Sequence, residues 1–343
     1  MLYRLRELPS IRHRLLVGAI VLWTLIATPV AIFLMTTGGR PLALSALAAA
    51  PLALLARGRP IVSAGLLVAG GTILRLSFVG LFSSDPIEVS QSAAYVAFSG
   101  GDPYAARYLD GIPYPYGPVG LVSYLGGIPV ELIATIGISA VLAAHQAWIS
   151  LALFNAWPQF LYMPVIGNND FSVGFITLLA LVLLRSRPLV GMSLLALAIG
   201  IKPYAAAWAI PAGLFGGLLP SLVGLAVLIL CWTPVLFLWG LPSFFRATTE
   251  AEQVRASLAQ VPSWSFADLP FVRWLAVPLA FAAAFMRSWR AMVLIGAAVF
   301  IVFLGFAPRA PQPYLAFLLP IVGLAVESLR DNSQVGRRVA ESG

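Results

Sequence analysis

Lysine is nearly missing from this chain of 343 residues; Lys202 is the only one. Acids number thirteen, and charged residues of every kind make up 10% of the sequence, against about 25% in soluble globular domains. So few charges exclude a soluble domain of this size. Cysteine is reduced to Cys231, which sits in an apolar run, and this excludes a disulfide framework and a thiolate metal site. The HExxH, P-loop and GxSxG patterns are also missing, so zincin, nucleotide and nucleophile-elbow chemistry have no support. No internal repeat is evident, whereas inverted-repeat transporters are built on one.

What the sequence has instead is hydrocarbon, with 60% hydrophobic residues. Apolar runs near the ~20 residues that cross a bilayer recur along its length. They predict an all-α, polytopic transmembrane bundle of about 10–12 spans, near 15–35, 41–56, 60–82, 118–134, 137–156, 170–184, 188–201, 204–219, 221–240, 271–286, 290–306 and 312–328. On this reading residues 1–343 form a single transmembrane domain, with 83–117 and 241–270 as outer loops and 329–343 as a cytoplasmic tail. The start, MLYRLRELPSIRHRLL, has a basic flank, but no small-residue cleavage site follows before Pro29, so a retained first helix is expected.

The formal charge of +8 could suggest nucleic acid, but the arginines are dispersed over short loops and match orientation signals better. With the N-terminus in the cytoplasm, the inner segments hold Arg4, Arg6, Arg12, Arg14, Arg57, Arg59, Arg185, Arg187, Arg287, Arg290, Arg330, Arg337 and Arg338. These are thirteen of the 21 basic residues. The segments 83–117, 157–169 and 241–270 then face outward in a multi-pass protein of the cell membrane.

Residues 83–118 are the one long polar interruption in the first half, and they gather Asp85, Glu88, Asp102 and Asp110. Asp85, Pro86 and Glu88 make a helix-start signature, so Asp85 reads as a cap, as a catalytic carboxylate, or as both. Pro86 to Phe98 is amphipathic, with Ile87, Ala94 and Phe98 on one face, and predicts a helix lying along the membrane interface. Lys202 stands in AIGIKPYAAAW; a cation there costs roughly 2.5–3.5 kcal/mol unless it is paired or lines a cavity. Snorkelling is the plainer reading, and the Pro203 break favours a cavity. Arg75 is a second intramembrane cation, while Arg309 and Gln312 lie at an outer helix end. Asp170 follows Asn168 and Asn169 and reads as an N-cap; His145, beside Gln146, is placed mid-span as an interhelical hydrogen-bonding group. A carboxylate outside, cations at the membrane face and the aromatics Tyr104, Tyr114 and Tyr116 suit an anionic lipid-borne substrate meeting a hydroxylated one.

Four stretches carry a resemblance: SSDPIEVSQSAAYVAFSGGDPYAARY with IPYPYGPVG, then IGNNDFSVGF with its basic turn and AIGIKPY, then APRAPQPYLAFLLPIV, and the overall layout of spans. In these the chain resembles the GT-C superfamily of membrane glycosyltransferases, closest to glycosyltransferase family 87, whose members use polyprenyl-phosphate sugars. GNND departs from the family's more usual Gly-Gln-x-Asn pattern. The resemblance implies Asp85 as general base and Lys202, with Arg75 or Arg309, at the donor phosphate. Glu88, Asp102, Tyr104, Tyr114, Tyr116, Asn168, Asn169 and Gln312 are candidates for sugar or acceptor contacts.

The implied reaction moves a hexose, mannose by resemblance, from a polyprenyl-phosphate donor to a glycolipid or glycan acceptor on the outer face, with inversion. Neither a cofactor nor a metal is required by the sequence, although Asp85 with Glu88 could hold a divalent ion. The competing reading is a transporter or flippase of a lipid-linked saccharide, and a third is a non-catalytic assembly partner. A flippase would place its ionisable groups near the bilayer midplane.

Overall fold

The structure, a computed structural model, describes residues 7–82, 86–257, 265–266, 269–286, 288–307 and 313–327. Among these every regular element is helical. The principal helices are α1 (Glu7–Thr36), α2 (Ala49–Leu55), α3 (Pro60–Ser77), α4 (Pro86–Phe98), α5 (Gly127–Ala144), α6 (Trp148–Ala156) and α7 (Phe171–Leu183). They continue as α8 (Pro188–Ile201), α9 (Ala209–Gly216), α10 (Leu218–Pro234), α11 (Leu241–Ser257), α12 (Trp289–Gly305) and α13 (Pro313–Glu327). Proline opens α3, α4, α8 and α13, where its missing N–H is one that no helix satisfies internally.

Four stretches are long and apolar enough to cross a membrane: Arg12–Thr36, Pro60–Ser77, Gly120–Ala144 and Leu218–Trp239. Six shorter apolar helices accompany them among the described residues. The described residues are therefore those of an all-helical membrane protein. Two expected boundaries move. The break placed between 134 and 137 is absent, because α5 runs through it; the chain turns at Gln146, which adopts φ 56, and α6 follows. His145 accordingly lies in that turn rather than mid-span. The span expected at 204–219 is a 3₁₀ turn, Pro203–Trp208, followed by the short α9.

The contacts divide the chain into two compact units. One comprises residues 1–83, 132–166 and 319–343. Its centre is polar. Asn155 on α6 accepts from Trp23 Nε1 through its carbonyl (3.0 Å) and donates to Ser139 Oγ (3.1 Å) and to the Leu151 carbonyl (3.0 Å). The N-terminus of α6 is capped from α13: Glu327 accepts from Ile149 N (3.0 Å), Ser150 N (2.7 Å) and the Ser150 hydroxyl.

The other unit comprises residues 84–131 and 167–318. Here α8 packs on α7 and α10 through small residues. A Cβ at Gly191 would stand 2.8 Å from Ala180 O, and one at Gly224 3.1 Å from Met192 Cβ. Trp208 fills the interior, donating from Nε1 to the Val293 carbonyl (3.1 Å) and stacking edge-on against Phe317.

Candidate functional site

Lys202 is positioned by the proline that follows it. A residue before proline is pushed out of helical geometry, and Lys202 leaves α8 extended, at φ −135° and ψ 119°. Its own N–H closes the last helical bond, to Ala198 O at 2.9 Å. With the chain leaving the helix, the carbonyls of Gly200 and Ile201 need other donors. They find them in the tyrosine-rich loop: Val119 N donates to Gly200 O (3.0 Å) and Gly117 N to Ile201 O (2.9 Å). Such an approach admits only glycine. A Cβ on Gly117 would lie 2.2 Å from Gly200 O, and one on Gly200 2.7 Å from Val119 Cγ2.

The ammonium thus delivered is 2% exposed and meets Asp170, itself 2% exposed, at 2.6 Å. Tyr204 donates its hydroxyl to the same carboxylate oxygen at 2.5 Å. Around the ammonium stand the faces of Tyr116 (4.6 Å to the ring centroid), Tyr204 (5.6 Å) and Tyr314 (5.9 Å). Aromatic faces attract a desolvated cation and add to what the carboxylate supplies. Lys202 therefore does not snorkel; it is paired and enclosed.

Asp170 is free for this pairing because another residue does its expected work. It stands at the N-cap of α7 but makes no side-chain capping bond. Instead Glu131, fully buried on α5, accepts from Phe171 N (2.9 Å), Ser172 N (3.0 Å) and the Ser172 hydroxyl (2.6 Å). The capping role read for Asp170 from its local sequence is corrected: the cap comes from a carboxylate forty positions away.

The loop that carries Tyr116 is held by its own tyrosines. Tyr104 donates to the Tyr116 carbonyl (3.1 Å) and Tyr114 to the Gly117 carbonyl (3.0 Å). Asp102 closes a turn by accepting from Tyr104 N (2.8 Å) and also takes the Ser243 hydroxyl of α11 (2.6 Å). Burial pushes the Tyr104 and Tyr114 hydroxyls well above the usual tyrosine range, and the Asp102 charge adds to this at Tyr104. Both therefore stay protonated and remain donors. Asp102, Tyr104 and Tyr114 shape the loop, and Tyr116 is the member that reaches Lys202. Asp110 adopts φ 56 at an exposed turn, a conformation aspartate tolerates.

The first turn of α4 is tied to the same neighbourhood: Ile87 N donates to Gly167 O at 3.1 Å. Glu88 on this helix is exposed. The buried face is Ile87, Val89, Ser90, Ala93 and Ala94, and Phe98, expected to share it, is 68% exposed. Asn168 turns its Oδ1 back to Asp170 N (3.1 Å), and the Asn169 carbonyl accepts from Tyr124 (2.9 Å). Both asparagines are buried, and Asn169 Oδ1 has no hydrogen-bond partner. Leaving such an atom unpaired costs about 1–3 kcal/mol.

Arg75 is the other intramembrane cation expected at the donor phosphate. It belongs to the other unit, is fully buried, and donates to Phe160 O (3.2 Å), Asn155 Oδ1 (2.9 Å) and Phe154 O (2.8 Å). These bonds clamp the end of α6 and commit the guanidinium to backbone and amide oxygens. Asp85, Arg309 and Gln312, with the tail 329–343, lie outside the described residues. The structure thus brings together Lys202, Tyr116, Asn168 and Asn169. It adds Asp170, Tyr204, Tyr314 and Glu131, which sequence reasoning did not place there. Glu131 had a signal: it is the only acid between Asp110 and Asp170, alone in apolar sequence. No group of three or more His, Cys, Asp or Glu suited to a metal ion occurs among the described residues. Compared with protein-family models, curated proteins and solved structures, the chain matches none.

Proposed function

We propose that this protein is a membrane glycosyltransferase of GT-C type that moves a hexose from a polyprenyl-phosphate sugar to a glycolipid or glycan acceptor on the non-cytoplasmic face. One observation carries the reading. Three other segments on which the sequence resemblance rests meet at Lys202 of IKPY: Tyr116 from IPYPYGPVG, Asp170 from IGNND and Tyr314 from APRAPQPY. A buried cation within aromatic faces suits the bridging oxygen of a lipid phosphate as negative charge develops there.

In this mechanism Asp85 takes the proton of the acceptor hydroxyl. The acceptor oxygen bonds to the anomeric carbon, the bond from that carbon to the phosphate oxygen breaks, and polyprenyl phosphate leaves as an anion with inversion at the sugar. Lys202 balances the leaving charge. Asp170 and Tyr204 hold the ammonium in place, and Glu131 keeps Asp170 available. Ile87 N donates to Gly167 O and so ties the first turn of α4 to the loop that ends in Asp170.

The test incubates purified full-length protein with a panel of polyprenyl-phosphate sugars and a lipid extract as acceptor, and scores release of polyprenyl phosphate. Release with one sugar class and incorporation of that sugar into lipid is the expected result. No release with any donor, together with movement of a lipid-linked saccharide across reconstituted vesicles, would replace this reading with that of a flippase.

A further inference from the structure

Among the described residues two buried side-chain atoms lack a hydrogen-bond partner, Asn169 Oδ1 and Thr177 Oγ1. Thr177 lies inside α7, where a change of χ1 can offer its hydroxyl to a carbonyl one turn back. Asn169 has no such remedy, because an amide oxygen needs a donor from elsewhere.

The orientation of that amide follows from its neighbour. Ser90 Oγ donates to the Pro86 carbonyl at 2.6 Å, so its hydrogen is committed and it can only accept. Asn169 Nδ2 is the group that faces it, at 3.5 Å, and the oxygen is the atom left over. The surrounding segment is meanwhile fixed on all sides. The Asn169 carbonyl is held by Tyr124, Asp170 N by Asn168, and the Asp170 carboxylate by Lys202 and Tyr204. One residue from the buried ion pair, an acceptor is thus kept rigid and unused. Buried polar atoms in native proteins are almost always satisfied, so this one calls for a partner that the chain itself does not supply.

We infer that Asn169 Oδ1 accepts a hydroxyl of the sugar taken at the Lys202 site, and that Asn169 is a specificity-determining residue for which sugar is used. The inference rests on the glycosyl-transfer reading and names the part of the substrate that Asn169 reads. An anionic oxygen has no hydrogen to give, and an ammonium would be opposed by Lys202; a sugar hydroxyl supplies the donor without charge. A site built to bond a hydroxyl discriminates strongly against the analogue that lacks it, because its own polar atom is then stranded.

The experiment uses full-length protein and five probes: polyprenyl-phosphate mannose and its 2-, 3-, 4- and 6-deoxy analogues. Wild type is expected to use one deoxy analogue roughly 10–100-fold less well in kcat/KM than the parent. Asn169→Leu, of similar volume but without the acceptor, should lower the parent by a similar factor and leave that analogue unchanged, so that the ratio collapses towards one. If the leucine variant does not fold, Asn169→Ser, which withdraws the oxygen from reach, is read the same way. A preference that survives the substitution, or a uniform loss over all five donors, overturns the role of Asn169 and leaves an ordered water as the partner of Oδ1. Absence of turnover by wild type with every donor overturns the glycosyl-transfer reading itself.

Discussion

Glu131 caps the helix whose N-cap position Asp170 occupies. Its carboxylate accepts from Phe171 N and Ser172 N at 2.9 and 3.0 Å, while the Asp170 carboxylate turns to Lys202 at 2.6 Å. Two acids thus divide what one would ordinarily do. A carboxylate at a helix N-terminus is stabilised by orphan N–H groups and by the helix dipole, which makes Glu131 tolerable inside an apolar helix. Asp170 gives up that stabilisation and takes a cation in its place.

Replacing Glu131 tests this division directly. Glu131→Gln keeps the size but loses the charge and one acceptor, and should cost about 1–2 kcal/mol of stability. The variant should also weaken transfer more than its stability loss explains, because Asp170 can then fall back on the cap and release Lys202. Thermal unfolding in detergent and kcat/KM at a temperature where the variant is folded check the two effects separately. Full activity in a destabilised variant would show that the cap and the ion pair are independent.

The contact between the tyrosine loop and the end of α8 gives a second expectation. Gly117→Ala would set a methyl group 2.2 Å from Gly200 O, so the two segments must part and the carbonyls of Gly200 and Ile201 lose their donors. Overpacking of this kind costs about 1–3 kcal/mol, before the lost hydrogen bonds are counted. Gly65 in α3 has nothing within 4 Å of an added Cβ, so Gly65→Ala should be neutral or stabilising by up to about 1 kcal/mol. Unfolding temperatures of the two variants, measured side by side, should move in opposite directions or by very different amounts.

At three prolines and at Lys202, sequence and structure agree. Pro60, Pro86 and Pro188 open helices where expected, and Lys202 before Pro203 reads as a cation at a break, which it is. The turn at Gln146 was not legible, because an all-apolar stretch has no polar face whose period could show where one helix ends. At Asp170 the difference has another cause. Local sequence offers it the cap, and only the fold brings Glu131 to compete for that place. Tyr314 reaches Lys202 through tertiary packing, and nothing in its own neighbourhood announces it, whereas Tyr204 stands only two positions beyond the lysine. Arg75 reads as a second intramembrane cation, and the carbonyls that hold it are more than seventy positions away.

For Arg75 the expected outcome is structural. Arg75→Lys retains the charge but not the fork that reaches Phe154 O, Asn155 Oδ1 and Phe160 O, and should cost about 1.5–3 kcal/mol. The KM for the lipid donor should be unchanged in the folded fraction. A raised donor KM without loss of stability would return Arg75 to the phosphate.

Asp85→Asn should lower kcat by roughly 10²–10⁴-fold, the usual contribution of a general base, with donor binding and unfolding temperature kept. Activity should survive a chelator, since the proposed mechanism uses no metal. Complete loss with chelator, restored by a divalent ion, would instead make Asp85 and Glu88 ion ligands.

The ion pair separates structural from chemical roles when both partners are changed. Lys202→Met leaves the Asp170 carboxylate buried with only Tyr204 beside it, and Asp170→Leu leaves the ammonium with aromatic faces alone; removing one partner of a buried pair costs about 3–5 kcal/mol. The double variant removes both charges and should recover most of that stability, because an apolar pair in a low-dielectric interior needs no compensation. Transfer should not recover with it. Lys202 is the only lysine, and no neighbouring ammonium can take over the charge on the departing phosphate. A double variant that is both stable and active would mean that the pair only holds α7 against the end of α8, and that another cation serves the donor.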